Sequence, residues 1–97
     1  MARYVMLFNF TRKGIENVKE SPARVEELKD AFREAGAEIK EFYALLGRYD
    51  TMFIAEAPDD ETIAGLALAI ASKGNVRTET LRAFTMDEFR KMVAAIP

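Results

Sequence analysis

Between Arg3 and Asn9 the chain places no polar residue: the run Arg3 to Phe10 reads Arg-Tyr-Val-Met-Leu-Phe-Asn-Phe. Aromatic and β-favouring residues at successive positions predict a strand with both faces buried, since neighbouring side chains point to opposite sides. One set is Tyr4, Met6, Phe8 and Phe10; the other is Arg3, Val5, Leu7, Asn9 and Thr11. Thr11 to Glu20 is polar, with Gly14, Ile15 and Val18, and predicts a turn or a short helical start. Ser21 then Pro22 suits an N-cap and first helical position, and Val25, Leu28, Phe32 and Ala35 follow at helical spacing. Gly36 suits the end of that helix.

Ala37 to Leu46 predicts a second strand, Gly47 to Asp50 a tight connection, and Tyr49 to Ala57 a third strand, the pair forming a hairpin. Pro58 stops it. Asp59 is placed to cap a second helix whose inner face carries Ile63, Leu66, Ala67 and Ile70, and Gly74 ends it. Val76 to Phe84 predicts the fourth strand. Thr85 and Glu88 have capping-box spacing ahead of a last helix with Phe89, Met92, Val93 and Ile96.

Strand, helix, hairpin, helix, strand is the split βαβ, or ferredoxin-like, order: an α+β fold with an extra C-terminal helix. Right-handed crossovers put both main helices on one face of an antiparallel sheet, with the first and third strands central. The length of 97 residues implies one domain, 1–97. One layer of helices covers one sheet face, and the other face is also apolar in its middle. Three or four such side chains, at about 1.5 to 3 kcal/mol each on full burial, favour a cover. A second copy of the chain is the simplest one, giving a homodimer or larger homo-oligomer. The alternative is that the C-terminal helix folds across the open face, and both hold if that helix exchanges between copies.

Composition narrows the chemistry. The net charge of -2, without a basic cluster, gives no indication of nucleic acid as a partner. The sequence has no cysteine and no histidine. Disulfides, thiolate ligands, Cys nucleophiles and the commonest general base are therefore excluded, and no cofactor or metal is expected. No apolar stretch approaches the roughly 20 residues of a membrane span. No signal-peptide pattern opens the chain, so a cytoplasmic location without membrane association is expected.

Gly47-Arg48-Tyr49-Asp50 matches a Gly-x-Tyr-Asp signature. Together with Gly74-Asn75-Val76-Arg77-Thr78-Glu79-Thr80-Leu81-Arg82-Ala83-Phe84 and the opening Asn9, Thr11 and Gly14, the sequence resembles the GYD-domain family over nearly its whole length. The resemblance implies a fold like the dimeric α/β barrels, in which two ferredoxin-like subunits pack their sheets together. It implies no activity, because related barrels include cofactor-independent oxygenases, isomerases, haem enzymes and effector-binding modules.

The topology gathers candidates at one end of the sheet. The first strand ends there with Asn9 and Thr11, and the third and fourth strands begin there with Tyr49, Asp50, Asn75, Arg77 and Thr78. In a functional reading Arg77 holds a ligand carboxylate or enolate oxygen, Asp50 accepts a proton or orients Arg77, and Tyr43 and Tyr49 supply walls and a hydroxyl. In a structural reading Asp50 caps the hairpin turn and pairs with Arg77, and Tyr49 is a core aromatic. Strand alternation puts Arg77, Glu79, Leu81 and Ala83 on one face and Val76, Thr78, Thr80, Arg82 and Phe84 on the other; sequence leaves open which set faces inward. Gly14 before a helix start suits an anion or a simple turn. Three functions follow as expectations. The first is a module binding a small organic ligand between sheet and dimer partner. The second is a cofactor-independent isomerase or oxygenase acting on a small acidic or phenolic substrate. The third is a structural or regulatory oligomer without a pocket.

Overall fold

A computed structural model describes residues 1–97. The strands are β1 (Ala2–Phe10), β2 (Glu38–Ala44), β3 (Thr51–Ala57) and β4 (Val76–Ala83), in the antiparallel order β2-β3-β1-β4. The helices are α1 (Arg12–Glu16), α2 (Ser21–Glu34), α3 (Asp60–Ser72) and α4 (Met86–Ala94). This is the α+β ferredoxin-like arrangement with an added C-terminal helix, and β1 and β3 are central. For orientation, the end of β1 is called the upper end. β3 and β4 begin there, α2 starts there and α3 finishes there.

Register decides which residues form the core. Tyr4, Met6 and Phe8 of β1 face the same side as Phe53, Ala55 and Ala57 of β3, and all six are buried beneath α2 and α3, which add Phe32, Ile63 and Ile70. Small residues on β3 and on α3 let that helix lie close to the sheet. Phe53 sits at the centre, with edge-on rings from Phe8 at 4.8 Å and Phe32 at 6.1 Å between centroids.

Two local devices fix the connections. Asp59 caps α3 by accepting from the Thr62 amide at 2.8 Å, and Thr85 with Glu88 forms a complete capping box on α4. Gly14 lies so close to β4 that a Cβ there would fall 1.9 Å from the Asn75 carbonyl oxygen. Its amide donates to Thr11 Oγ1, whose hydroxyl in turn donates to the Gly74 carbonyl at 2.5 Å. Close backbone approach thus accounts for this glycine, and its amide is already engaged.

Two sequence expectations change. Ser21 is not the N-cap of α2. A 3-10 turn at Val18–Glu20 delivers the chain already in helical conformation, so Glu20 takes the cap position and Ser21 Oγ accepts from Arg24 instead. The C-terminal helix does not cover the open sheet face. No α4 residue is buried, and Phe89, Met92, Val93 and Ile96 are all exposed.

Tyr4 gives the fold a pH dependence. Its ring is buried and its hydroxyl donates to Asp60 Oδ1 at 2.5 Å, tying β1 to the start of α3. Burial first, and the Asp60 hydrogen bond second, push its pKa up from 10.0 to about 12. A raised folded-state value means stability that is fully present below pH 10 and lost as pH rises from there through about 12. The difference in urea unfolding free energy between wild type and Tyr4→Phe is therefore expected to be constant below pH 10 and to shrink between pH 10 and 12.

Candidate functional site

The sheet face opposite the helices has no cover within the chain. Register places Val5 and Leu7 of β1 beside Met52 and Ile54 of β3 and opposite Glu79 and Leu81 of β4. None of these six is buried. The lower end of the face is closed by Arg3 paired to Glu56 at 2.8 Å. This register selects Arg77, Glu79, Leu81 and Ala83 as the open set, and Val76, Thr78, Thr80 and Arg82 as the helix-facing set.

A β-bulge shapes the outer part of the face. Ile39 pairs with Ala55 and Glu41 with Ile54, so Lys40 is extra. Ile39 and Phe42 therefore both face the helices, while Glu41 and Tyr43 face the open side. The Tyr43 hydroxyl donates to Glu41 Oε2, which raises its pKa.

Asp50 is held by the backbone. Its amide donates to the Phe8 carbonyl at 2.9 Å, its carbonyl accepts from the Leu45 amide at 2.8 Å, and its Oδ2 accepts from the Phe10 amide at 2.8 Å. The β1–β3 ladder stops at Phe8 opposite Thr51, so Phe10 has lost its main-chain acceptor. The carboxylate takes that place and extends the ladder by one bond. Asp50→Ala is expected to destabilise the fold by about 1.5 to 3 kcal/mol, the range for a hydrogen bond to a charged group. Urea unfolding monitored by circular dichroism measures it.

Tyr49 reaches across β1 to donate to Glu79 Oε2 at 2.6 Å, and that hydrogen bond is the first cause of its raised pKa. Asn9 and Arg77 are register partners on the same face, near this bridge. The structure thus gathers Asn9, Arg77, Tyr49 and Glu79 at the upper end, with Tyr43 on the outer strand. It does not pair Asp50 with Arg77, whose guanidinium is matched to no carboxylate. It sends Thr78 to the opposite face, beside Phe8. No group of three or more Asp or Glu side chains is arranged to hold a metal ion, and no helix is long and apolar enough to cross a membrane.

Sequence reasoning missed a second concave region, a cleft on the helix side bounded by Arg24, Leu28, Phe42 and Lys73. Phe42 belongs to it only because of the bulge at Lys40.

The sequence model of the GYD domain matches residues 4–93. The chain belongs to the GYD-domain family. A relative from Thermus thermophilus, described as a "Glutamine synthetase and cystathionine beta-lyase binding protein", is 36% identical over 84 residues, covering 86% of this chain and 88% of that protein. The crystal structure of TTHA0845 from Thermus thermophilus superposes with a TM-score of 0.56 at 28% identity, covering 88% of this chain and 95% of the other. The leucine response regulatory protein LrpA of Mycobacterium tuberculosis gives a TM-score of 0.65 at 15% identity, with 88% of this chain on 51% of that one. That likeness concerns the fold. Within the family signature of this chain, Asp50 extends the central ladder and Tyr49 bridges to β4.

Proposed function

We propose that this GYD-domain chain is a self-associating binding module whose clients are other proteins. The observation that carries the reading is the uncovered apolar face formed by Val5, Leu7, Met52, Ile54 and Leu81. Two copies packed face to face exclude water from these side chains, and the exposed apolar side of α4 adds to the same pairing. The description of the Thermus thermophilus relative as a binding protein for two enzymes supports protein clients. Glutamine synthetase and cystathionine beta-lyase are the first candidates to try. Surface plasmon resonance of each enzyme over the immobilised chain is expected to give saturable binding to at least one. Folded, paired protein that binds neither at micromolar concentration removes these clients.

A second reading is favoured by Arg77. Its guanidinium has no carboxylate partner and lies beside Asn9 on the open face, where a small acidic organic ligand is held between the two sheets. In a catalytic version of this reading the base is Glu79, which faces the open side with its carboxylate held by the Tyr49 hydroxyl, whereas the Asp50 carboxylate is tied into the β1 backbone at the Phe10 amide.

A further inference from the structure

At the upper end the space over the sheet beside the two main helices is not filled by side chains. Lower down, Phe32 fills the space between α2 and the sheet and is fully buried against Phe53. One and two turns earlier α2 carries Leu28 and Val25, and α3 carries no large side chain past Ile70 before Lys73. A cleft of about 370 Å³ remains over the sheet. Its floor is aromatic, with Phe42 and Phe8 flanking Phe53 at centroid distances of 5.7 and 4.8 Å. Val25, Leu28 and Ile70 form its sides. The cleft opens to solvent on one side, and a ligand seated in it buries its apolar body against the aromatic floor and the helix side chains.

The mouth has a different chemistry. Because α2 begins and α3 ends at the upper end, the mouth carries Ser21, Arg24, Lys73 and Asn75. The Lys73 ammonium meets no carboxylate. Arg24 Nη2 donates to Ser21 Oγ at 3.1 Å, and its Nη1 lies 3.5 Å from Glu20. Glu27 is the one carboxylate lining the cleft. Arg24 is matched by Glu20, so Lys73 is the cation left without an ion-pair partner, which favours a single negative charge on the ligand.

The geometry points to this cleft as a binding site for a small monocarboxylic acid with an aromatic or short branched body. The body stacks on Phe8, Phe42 and Phe53, and the carboxylate lies between Lys73 and Arg24. The volume is near the lower end of ligand pockets, which run from about 300 to 1,000 Å³, so the ligand is a compact metabolite-sized acid. The site lies on the helix side of the sheet, so it stands or falls separately from pairing through the open face.

Titration with 4-phenylbutyrate, followed by amide NMR shifts and calorimetry, tests the site on the full chain. Saturable binding is expected, with shifts at Ser21–Ala31, Phe42 and Lys73–Val76, and affinity at least about tenfold above that of the neutral amide analogue. Lys73→Met is expected to remove most of that preference. Leu28→Trp and Ala31→Leu fill the cleft by different routes. Each is expected to abolish binding, and whichever retains the wild-type amide spectrum outside the cleft supplies the result. The proposal is overturned by equal affinity for acid and amide, by shifts confined to the open face, or by no saturation at millimolar probe. Intermolecular contacts from Phe89 or Met92 of a second copy into the cleft would overturn it too, since α4 would then be the occupant.

Discussion

Leu7→Glu leaves the chain folded and separates the proposed pair. Leu7 lies at the centre of the open face, between Met52 and Glu79, and its side chain contributes nothing to the buried core beneath the helices. Within a single chain the new carboxylate faces water, so unfolding free energy changes by less than about 1 kcal/mol. In a two-fold pair each substitution occurs twice. Loss of about 2 kcal/mol of apolar burial per copy gives about 4 kcal/mol, or nearly a thousandfold weaker association, before any charge burial is counted. Sedimentation velocity reads the association and urea unfolding reads the fold. A substituted chain that sediments like wild type would place the contact elsewhere.

Phe32→Ala is expected to have the largest effect on stability, about 3 to 5 kcal/mol. Phe32 is 0% exposed and meets the Phe53 ring edge-on at 6.1 Å and 88°. It holds the lower half of α2 on the sheet. Native stabilities run from about 5 to 15 kcal/mol, so this substitution removes about a fifth or more of the total. Urea unfolding is expected to show a lower midpoint at unchanged slope. A loss below about 1 kcal/mol would mean that α2 is not fixed by this residue.

The elements were legible because their signals are local and mutually consistent. The unbroken apolar run of β1, the Asp59 cap and the Thr85–Glu88 box each predict what forms there. Ser21 misled because capping depends on the conformation of the preceding residues, and a 3-10 turn there leaves no extended residue to cap. Side-chain facing on β2 was not legible at all. Ile39 and Phe42 are three apart, which no regular strand places on one face, and only the extra residue at Lys40 reconciles them. That bulge decides that Tyr43 joins the open face and Phe42 the cleft.

The candidate site was legible as a place more than as a set of partners. Strand directions alone bring Asn9, Tyr49 and Arg77 to the upper end. Which groups bond depends on register: Asp50 was matched to Arg77 by charge, whereas a ladder ending one residue early gives its carboxylate to the Phe10 amide. The same register that joins Asn9 to Arg77 turns Thr78 away. The cleft between α2 and α3 left no periodic signal, because Arg24 and Lys73 are each flanked by ordinary surface residues.

Sedimentation equilibrium of the unmodified chain at micromolar concentration bears most directly on whether a second copy covers the open face. A chain of 10.9 kDa is expected to give twice that mass, and to return toward the single-chain value when Leu7 is replaced by Glu. A wild-type mass that stays at 10.9 kDa across that range would contradict the account.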